Sequence, residues 1–420
     1  LEYIKNKSNM DYRDIQIFEN TSIFDFKDLD RMVENAIGVF QIPLGVATNF
    51  VVNGKEYLIP MATEEPSVIA AASNAAKIVK ESGGFKAEVG DSIMIGQIQL
   101  VSNFGQDNNN NENENGNKGK ENQDEIIKKI IDNRDKLIRI ANTKSKFARC
   151  LDIRTRNVND ESINRLGSMT IIEIFVDTKE AMGANVVNTM CESLAPTIES
   201  LTGGQVILKI LSNYATTRIV KCKGIFPKSL IGGERILKRI LFAYALSYSD
   251  VYRAVTHNKG IMNGIDSLAI ATGQDFRAIE AGCHAYACKD GKYRSLTKWY
   301  QNIDGDLVGE IEIPLAVGIV GGITNSHPIV KTCFKILNIS SSKELSGLIA
   351  SVGLAQNFSA IRALSDEGIQ KGHMKLHSKN IAITAGATGE SIESISQQMI
   401  KEGNVSVSRA KEILNQLNKV

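Results

Sequence analysis

Apolar positions along the chain fall into two rhythms. Phe50-Val51-Val52 and Tyr57-Leu58-Ile59 flank Asn53-Gly54, a dipeptide suited to a two-residue turn with positive φ, and predict a hairpin over residues 49–60. Ile93 to Val101, Met169 to Val176 and Val206 to Leu211 read as strands, as do Leu268 to Thr272 and Glu310 to Ile319. Helical spacing marks the rest. Pro66 sits in a first turn, Val68 to Ala72 continue it, and Gly83-Gly84 close it. Asp124 to Ala141 is amphipathic, with Ile127, Ile130, Ile131, Leu137 and Ile138 on the apolar side. Ala181 to Leu201, closed by Gly203-Gly204, Ile236 to Ala254, Leu345 to Leu364 and Val407 to Leu417 complete the set; Ser406 caps the last. The order helix, strand, helix, strand over 124–211 predicts a small α+β domain.

One stretch has neither rhythm. Gln106 to Gln123 contains Asn108-Asn109-Asn110-Asn111 and no apolar residue, so it cannot offset the entropy of ordering and reads as a disordered surface loop at a domain boundary. No internal repeat is visible. No G-x-G-x-x-G follows a strand, so a Rossmann-type fold is not supported.

Composition narrows the class. With 420 residues, 43% hydrophobic and 23% charged, the chain reads as two or three globular domains. A net charge of +2 gives no single-signed field toward nucleic acid or membrane. The longest apolar run, Ile313 to Ile323, is glycine-rich and shorter than the ~20 residues of a membrane span. Residues Leu1 to Asn20 lack a signal-peptide core. The six cysteines form no CxxC and no zinc spacing, so no metal is expected, and their scatter fits a reducing cytoplasm.

Four clusters look unlike ordinary packing, and a fifth segment, Glu180 to Asn185, carries a weaker signal that an ordinary helix start also explains. Glu64-Glu65-Pro66-Ser67 places two carboxylates where a hairpin meets a helix, which equally suits a helix N-terminus. Thr256 to Gly264 brackets Lys259 with polar groups and reads as a loop between a helix and a strand; its glycines permit close backbone approach. Asp275, after Ala271-Thr272-Gly273-Gln274, is either a plain cap or an acid beside a lysine. Two of the five histidines fall in Gly372-His373-Met374-Lys375-Leu376-His377. Glu180-Ala181-Met182-Gly183-Ala184-Asn185 opens a helix after a strand, where phosphate can approach backbone N–H groups.

At these blocks, and at Ala281 to Ala287, Val352 to Asn357 and Gly368 to Met374, the sequence resembles the class II, bacterial-type 3-hydroxy-3-methylglutaryl-coenzyme A (HMG-CoA) reductases from about Asn35 onward. Two departures stand out: the Asn-rich insert, and Glu180 where the family has aspartate. The resemblance implies an α/β (α+β) fold. A large discontinuous HMG-CoA-binding domain (1–103 and 216–372) would carry an inserted small ferredoxin-like cofactor domain (124–215). The insert at 104–123 would separate them, and a C-terminal helical flap (373–420) would close over the site. It also implies a homodimer or a hexamer of dimers, with active sites at subunit interfaces.

The implied reaction is the four-electron reduction of HMG-CoA to mevalonate and coenzyme A by two NAD(P)H, in the mevalonate pathway of isoprenoid synthesis. By resemblance Glu65, Lys259, Asp275 and His373 are catalytic. Ser67, Arg253, Asn263 and Asn213 hold substrate, His377 meets the coenzyme A phosphates, and Glu180, Met182, Gly183 and Asn185 bind cofactor. Lys259 would stabilise the nascent alkoxide, Asp275 would hold Lys259 charged, Glu65 would deliver a proton, and His373 would protonate the departing thiolate. Lys144, Lys146, Arg149, Arg154 and Arg156 suit a 2′-phosphate, whereas Asp152 among them suits a free ribose hydroxyl; the reading leans to NADPH over NADH. Two rivals remain: NAD-dependent mevalonate oxidation in the reverse direction, and a nucleic-acid-binding protein using the 144–156 patch, which the near-neutral charge argues against.

Overall fold

The structure, a computed structural model, describes residues 1–19, 26–102, 123–366 and 378–417. The Asn-rich insert up to residue 122 lies outside them, as do His373 and His377.

Strands β1 (Leu44–Val52) and β2 (Lys55–Ala62) form the expected hairpin. Asn53 (φ 49°) and Gly54 (φ 85°) both take the positive φ that its two-residue turn requires. Helix α1 (Val68–Lys80) follows and buries Val68, Ala72, Ala75, Ala76 and Val79. A second sheet, of strands β3 (Lys86–Val89), β8 (Ile219–Phe226), β10 (Leu307–Pro314) and β9 (Thr297–Gln301), is antiparallel in that spatial order.

The third sheet has the order β5-β6-β4-β7, built from Arg149–Asn159, Ser168–Asp177, Ile93–Val101 and Gln205–Leu211. Along the chain its elements run β4, helix, β5, β6, α2 (Ala184–Thr202), β7, which is the ferredoxin-like βαββαβ arrangement. The helix before β5 is Arg134–Asn142, preceded by a break at Asn133. The apolar face differs from the expected one: Ile126, Ile130, Leu137 and Ala141 are buried, at helical spacings, and Ile131 stays 54% exposed. At Gly96 a methyl group would press on Cys191 and Val187, so α2 lies close on the sheet only because that position is glycine.

The single helix expected over 236–254 is two, Gly233–Ser249 and α3 (Val251–Ala271). Asp250 is extended and caps α3 by accepting from the Arg253 N–H. The strand expected at 268–272 does not exist, and neither does the loop over 256–264. Both belong to α3, whose buried face carries Ala254, His257, Asn258, Ile261, Ile265 and Leu268 at helical spacing. Gly264, read as loop punctuation, instead lets α3 approach a long helix closely: a methyl there would lie 2.9 Å from Gln356 Cβ and 3.0 Å from Val352 O. Next come α4 (Phe276–Tyr286) and that long helix, α5 (Ser342–Ser365), which runs through the main core and is capped by Ser341. Among the described residues the apolar clusters include the main core, the ferredoxin-like unit, and a small one among residues 382–413. No helix among the described residues is long and apolar enough to cross a membrane.

Candidate active site

Lys259 and Asn263 stand one turn apart on α3 and both reach Glu65, in the short connection between β2 and α1. Lys259 Nζ lies 2.9 Å from Glu65 Oε2, and Asn263 Nδ2 donates to the same oxygen at 3.0 Å. Glu65 N–H donates to Thr63 Oγ1, and Ser67 takes φ 74° at the start of α1, a costly conformation for a non-glycine residue. The connection is therefore bent so that Glu65 faces α3, while neighbouring Glu64 is exposed. Arg253 is half-buried on α3, and desolvation lowers its pKa. Lys259 keeps 63% of its side-chain exposure, so in one chain its ion pair is screened and contributes little to stability.

Asp275 is not part of this group. It follows α3 and caps α4, accepting from the Ala278 N–H at 3.0 Å. The twelve residues from Lys259 to the end of α3 span about 18 Å of helix, so the rod that replaces the expected loop and strand holds Asp275 away from Lys259 in the same chain. The carboxylate beside Lys259 is Glu65. Asp275 belongs to a second group. Its neighbour Gln274 exchanges two 2.9 Å hydrogen bonds with Gly318, and Gly318 packs against Ala181 and Met182 of the proposed cofactor loop. Asn213 lies against α4 at Gly282.

In that loop Gly183 (φ 105°) precedes α2, leaving the bare N–H groups of a helix start, and Asn185 is exposed in the first turn. Glu180 takes a structural partner: its carboxylate accepts from the Ser342 N–H at 2.5 Å, at the head of α5. Asp152 is held by Arg134 at 2.6 Å and Arg154 at 2.9 Å, which occupies the carboxylate that might have taken a ribose hydroxyl. Arg149 pairs in register with Asp177, at the sheet end from which the loop departs. Among the described residues no group of three His, Cys, Asp or Glu side chains is placed to hold a metal. Burial raises the Cys150 thiol to about 11 and Cys191, Cys222 and Cys333 to about 12, which suits packing rather than nucleophilic roles.

One titratable cluster was not anticipated. Asp266, one turn beyond Asn263, meets Glu280 of α4; Glu280 bonds His284 Nε2 at 2.8 Å, and His284 Nδ1 bonds Tyr293 OH at 2.7 Å. Burial, then the Glu280 charge, pushes the Asp266 carboxyl well above the carboxylate range. The tertiary pairing of α3 with α4 creates this cluster, and no local pattern announces it. With a folded-state pKa above its unfolded value, Asp266 binds more proton in the native state. Stability is therefore lost as pH rises from about 4 toward the raised value. Asp266→Asn removes this loss, so its melting temperature relative to wild type is expected to rise steadily between pH 4.5 and 7.5, as read by calorimetry.

Two groups of polar residues thus converge on two places: a lysine–carboxylate–amide set on α3, and an acid beside a glycine-marked helix start on a ferredoxin-like unit. Such a constellation suits an enzyme that stabilises a developing oxyanion and takes a phosphate-bearing ligand. A hydroxymethylglutaryl-coenzyme A reductase family model matches residues 1–378, and the chain belongs to that family. It is 48% identical to the 3-hydroxy-3-methylglutaryl-coenzyme A reductase of Archaeoglobus fulgidus, over 92% of this chain and 85% of that one. It is 37% identical to a probable reductase of Borreliella burgdorferi, over 90% and 83%. A class II reductase from Streptococcus pneumoniae, solved bound to NADPH in open conformations, superposes with a TM-score of 0.79 at 36% identity, over 99% of this chain and 98% of that one. The chain is of this class II, bacterial type.

Proposed function

We propose that this chain reduces HMG-CoA to mevalonate with two NADPH, and that the Lys259–Glu65–Asn263 cluster carries the chemistry. The cluster is the observation on which the reading rests. Each hydride adds to the same carbon and leaves negative charge on its oxygen. An ammonium aimed there lowers the transition state more than the ground state. After the first transfer the carbon–sulfur bond breaks, and His373 protonates the thiolate with an imidazole whose ordinary pKa of roughly 6.5 permits this. Glu65 supplies the proton for the alcohol. Ser67, Arg253 and Asn263 orient the acyl group, and His377 meets the coenzyme A phosphates. Each NADPH supplies hydride when bound; Met182, Gly183 and Asn185 would hold it.

The site is shared between copies in this reading. Asp275, Asn213 and the cofactor loop of one chain would meet Lys259 and Glu65 of another. Support comes from what one chain leaves uncovered: Tyr252 at the start of α3 is 89% exposed, Phe242 and Leu246 on the preceding helix 77% and 55%, and the segment before β1 exposes Ile37 and Phe40 almost fully. The minimal unit is a dimer, with 124–215 together with strand β4 as the cofactor domain and 373–420 as the flap. A cytoplasmic location is consistent with six free cysteines.

NADPH is favoured over NADH because Asp152 is occupied by arginines and Arg149 stands near the loop. The reverse, NAD-dependent direction is correspondingly not favoured. Arg149→Ser is expected to raise KM for NADPH on the order of tenfold while leaving KM for NADH unchanged. The decisive assay follows nicotinamide absorbance with NADPH and NADH separately, with and without HMG-CoA. Thioester-dependent oxidation of NADPH supports the reading; no oxidation of either cofactor refutes it.

A further inference from the structure

Arg218 takes no part in the reaction above, yet it is a charged side chain only 4% exposed. It lies between β7 and β8, where the chain passes from the ferredoxin-like sheet to the larger one. Its Nη1 donates to Met182 O at 3.1 Å, Thr178 Oγ1 at 3.3 Å and Ala181 O at 3.4 Å. Its Nη2 donates to Val317 O at 2.7 Å. None of these acceptors is a carboxylate; Asp177 and Glu180 act only through longer-range attraction. Burial lowers the guanidinium pKa to about 10, so it remains charged at neutral pH. Burying a cation against neutral carbonyls is costly unless every donor is placed well.

The rigid fork of arginine fixes directions as well as distances. In a trans peptide the C=O and N–H point opposite ways. With Met182 C=O turned to Arg218, the Gly183 N–H is turned away from it, toward the open first turn of α2. Gly183 cannot relieve this by moving inward, because that side of its Cα faces Thr178. Val317 ties the same guanidinium to the strand exit that leads to Gly318, the residue packed on Ala181 and Met182 and bonded to Gln274.

We infer that Arg218 is a positioning residue for the nicotinamide cofactor, setting the peptide planes of Ala181 and Met182 so that the Gly183 N–H is presented to the cofactor, and locking that loop to the Gln274–Asp275 corner. The inference rests on the reading of residues 180–185 as the cofactor loop. It follows that Arg218 acts on NADPH and not on HMG-CoA: the proposed substrate contacts Ser67, Arg253 and Asn263 lie on α3 and before α1, and Asn213 is not among the acceptors of the Arg218 guanidinium.

The test uses the full chain and two variants, Arg218→Lys, which keeps the charge and loses the fork, and Thr178→Val, which leaves Arg218 and removes the hydroxyl that links it to Ala181 O and Ser92 O. NADPH and HMG-CoA affinities are measured separately by titration calorimetry, with KM for each from steady-state rates. Arg218→Lys is expected to weaken NADPH on the order of tenfold, with HMG-CoA affinity unchanged; Thr178→Val should shift NADPH in the same sense by less. Should Arg218→Lys fail to fold, Thr178→Val alone decides. Wild-type NADPH affinity in every folded variant overturns the inference, and so does a parallel loss of both ligands, the signature of a merely structural role. If the wild-type chain binds HMG-CoA but no NADPH, the cofactor reading itself falls; a wild-type chain that binds NADPH isolates the fate of Arg218.

Discussion

Lys259→Ala is expected to lower kcat by about 10²–10³-fold, the loss seen when one donor to a developing oxyanion is removed, about 2.7–4 kcal/mol of barrier. The effect should appear with HMG-CoA and with mevaldehyde, because both hydride transfers leave charge on the same oxygen. It should fall on kcat more than on KM, since the ammonium acts where charge develops. Arithmetic on the single chain would forecast far less. Lys259 is 63% exposed there, and a solvated ammonium contributes little. The large effect therefore requires that water be excluded from α3 in the substrate complex, as the proposed flap and second copy would do. Stopped-flow absorbance at the nicotinamide band measures it, and near-normal turnover in the variant would remove Lys259 from the chemistry.

Local chemistry that settles itself was legible in the chain. Asn53-Gly54 fixed the hairpin because only a few residue types tolerate two consecutive positive φ values. Ile93 to Val101 and the Ser341-capped helix through Leu364 were read close to their observed bounds. The succession of elements over 124–211 announced a small α+β domain; its ferredoxin-like arrangement was implied by the resemblance, and strand Arg149–Asn159 was not read from the pattern. What failed was α3. Gly260 and Gly264 among polar residues imitate a loop, and Leu268-Ala269-Ile270-Ala271 imitates a buried strand. Period alone cannot separate a short apolar run in a strand from one in a buried helix. The packing of Gly264 on Gln356 and Val352, which makes glycine useful inside a helix, is a tertiary fact.

The same helix bears on the site. As a continuous helix α3 separates Lys259 from Asp275 within one chain, so the pairing that the resemblance implied is left to a contact between copies. The structure places Glu65 and Asn263 against Lys259; the resemblance had singled out Glu65 rather than Glu64, and the bend at Ser67 supplies the physical reason that Glu65 faces α3. Arg218 and the Asp266–Glu280 pair were invisible, because a buried charge announces itself through its partners, which come from distant parts of the chain.

The separation of Lys259 from Asp275 yields the second large effect. If each active site takes Lys259 and Glu65 from one chain and Asp275 with the cofactor loop from another, two different defects can be sorted onto different sites. Lys259→Ala and Asp275→Asn should each be nearly inactive alone. After random subunit exchange, half the dimers are hybrids, and each hybrid has one site with both defects and one with neither. A two-fold symmetric pair then regains roughly a quarter of wild-type activity. Sites contained within one chain would leave every site defective, and mixing would restore nothing. NADPH oxidation in the presence of HMG-CoA, followed after unfolding and joint refolding of the two variants, reads the difference directly. Recovery to roughly a quarter is the expected result; activity that stays at the level of the separate variants contradicts the shared site.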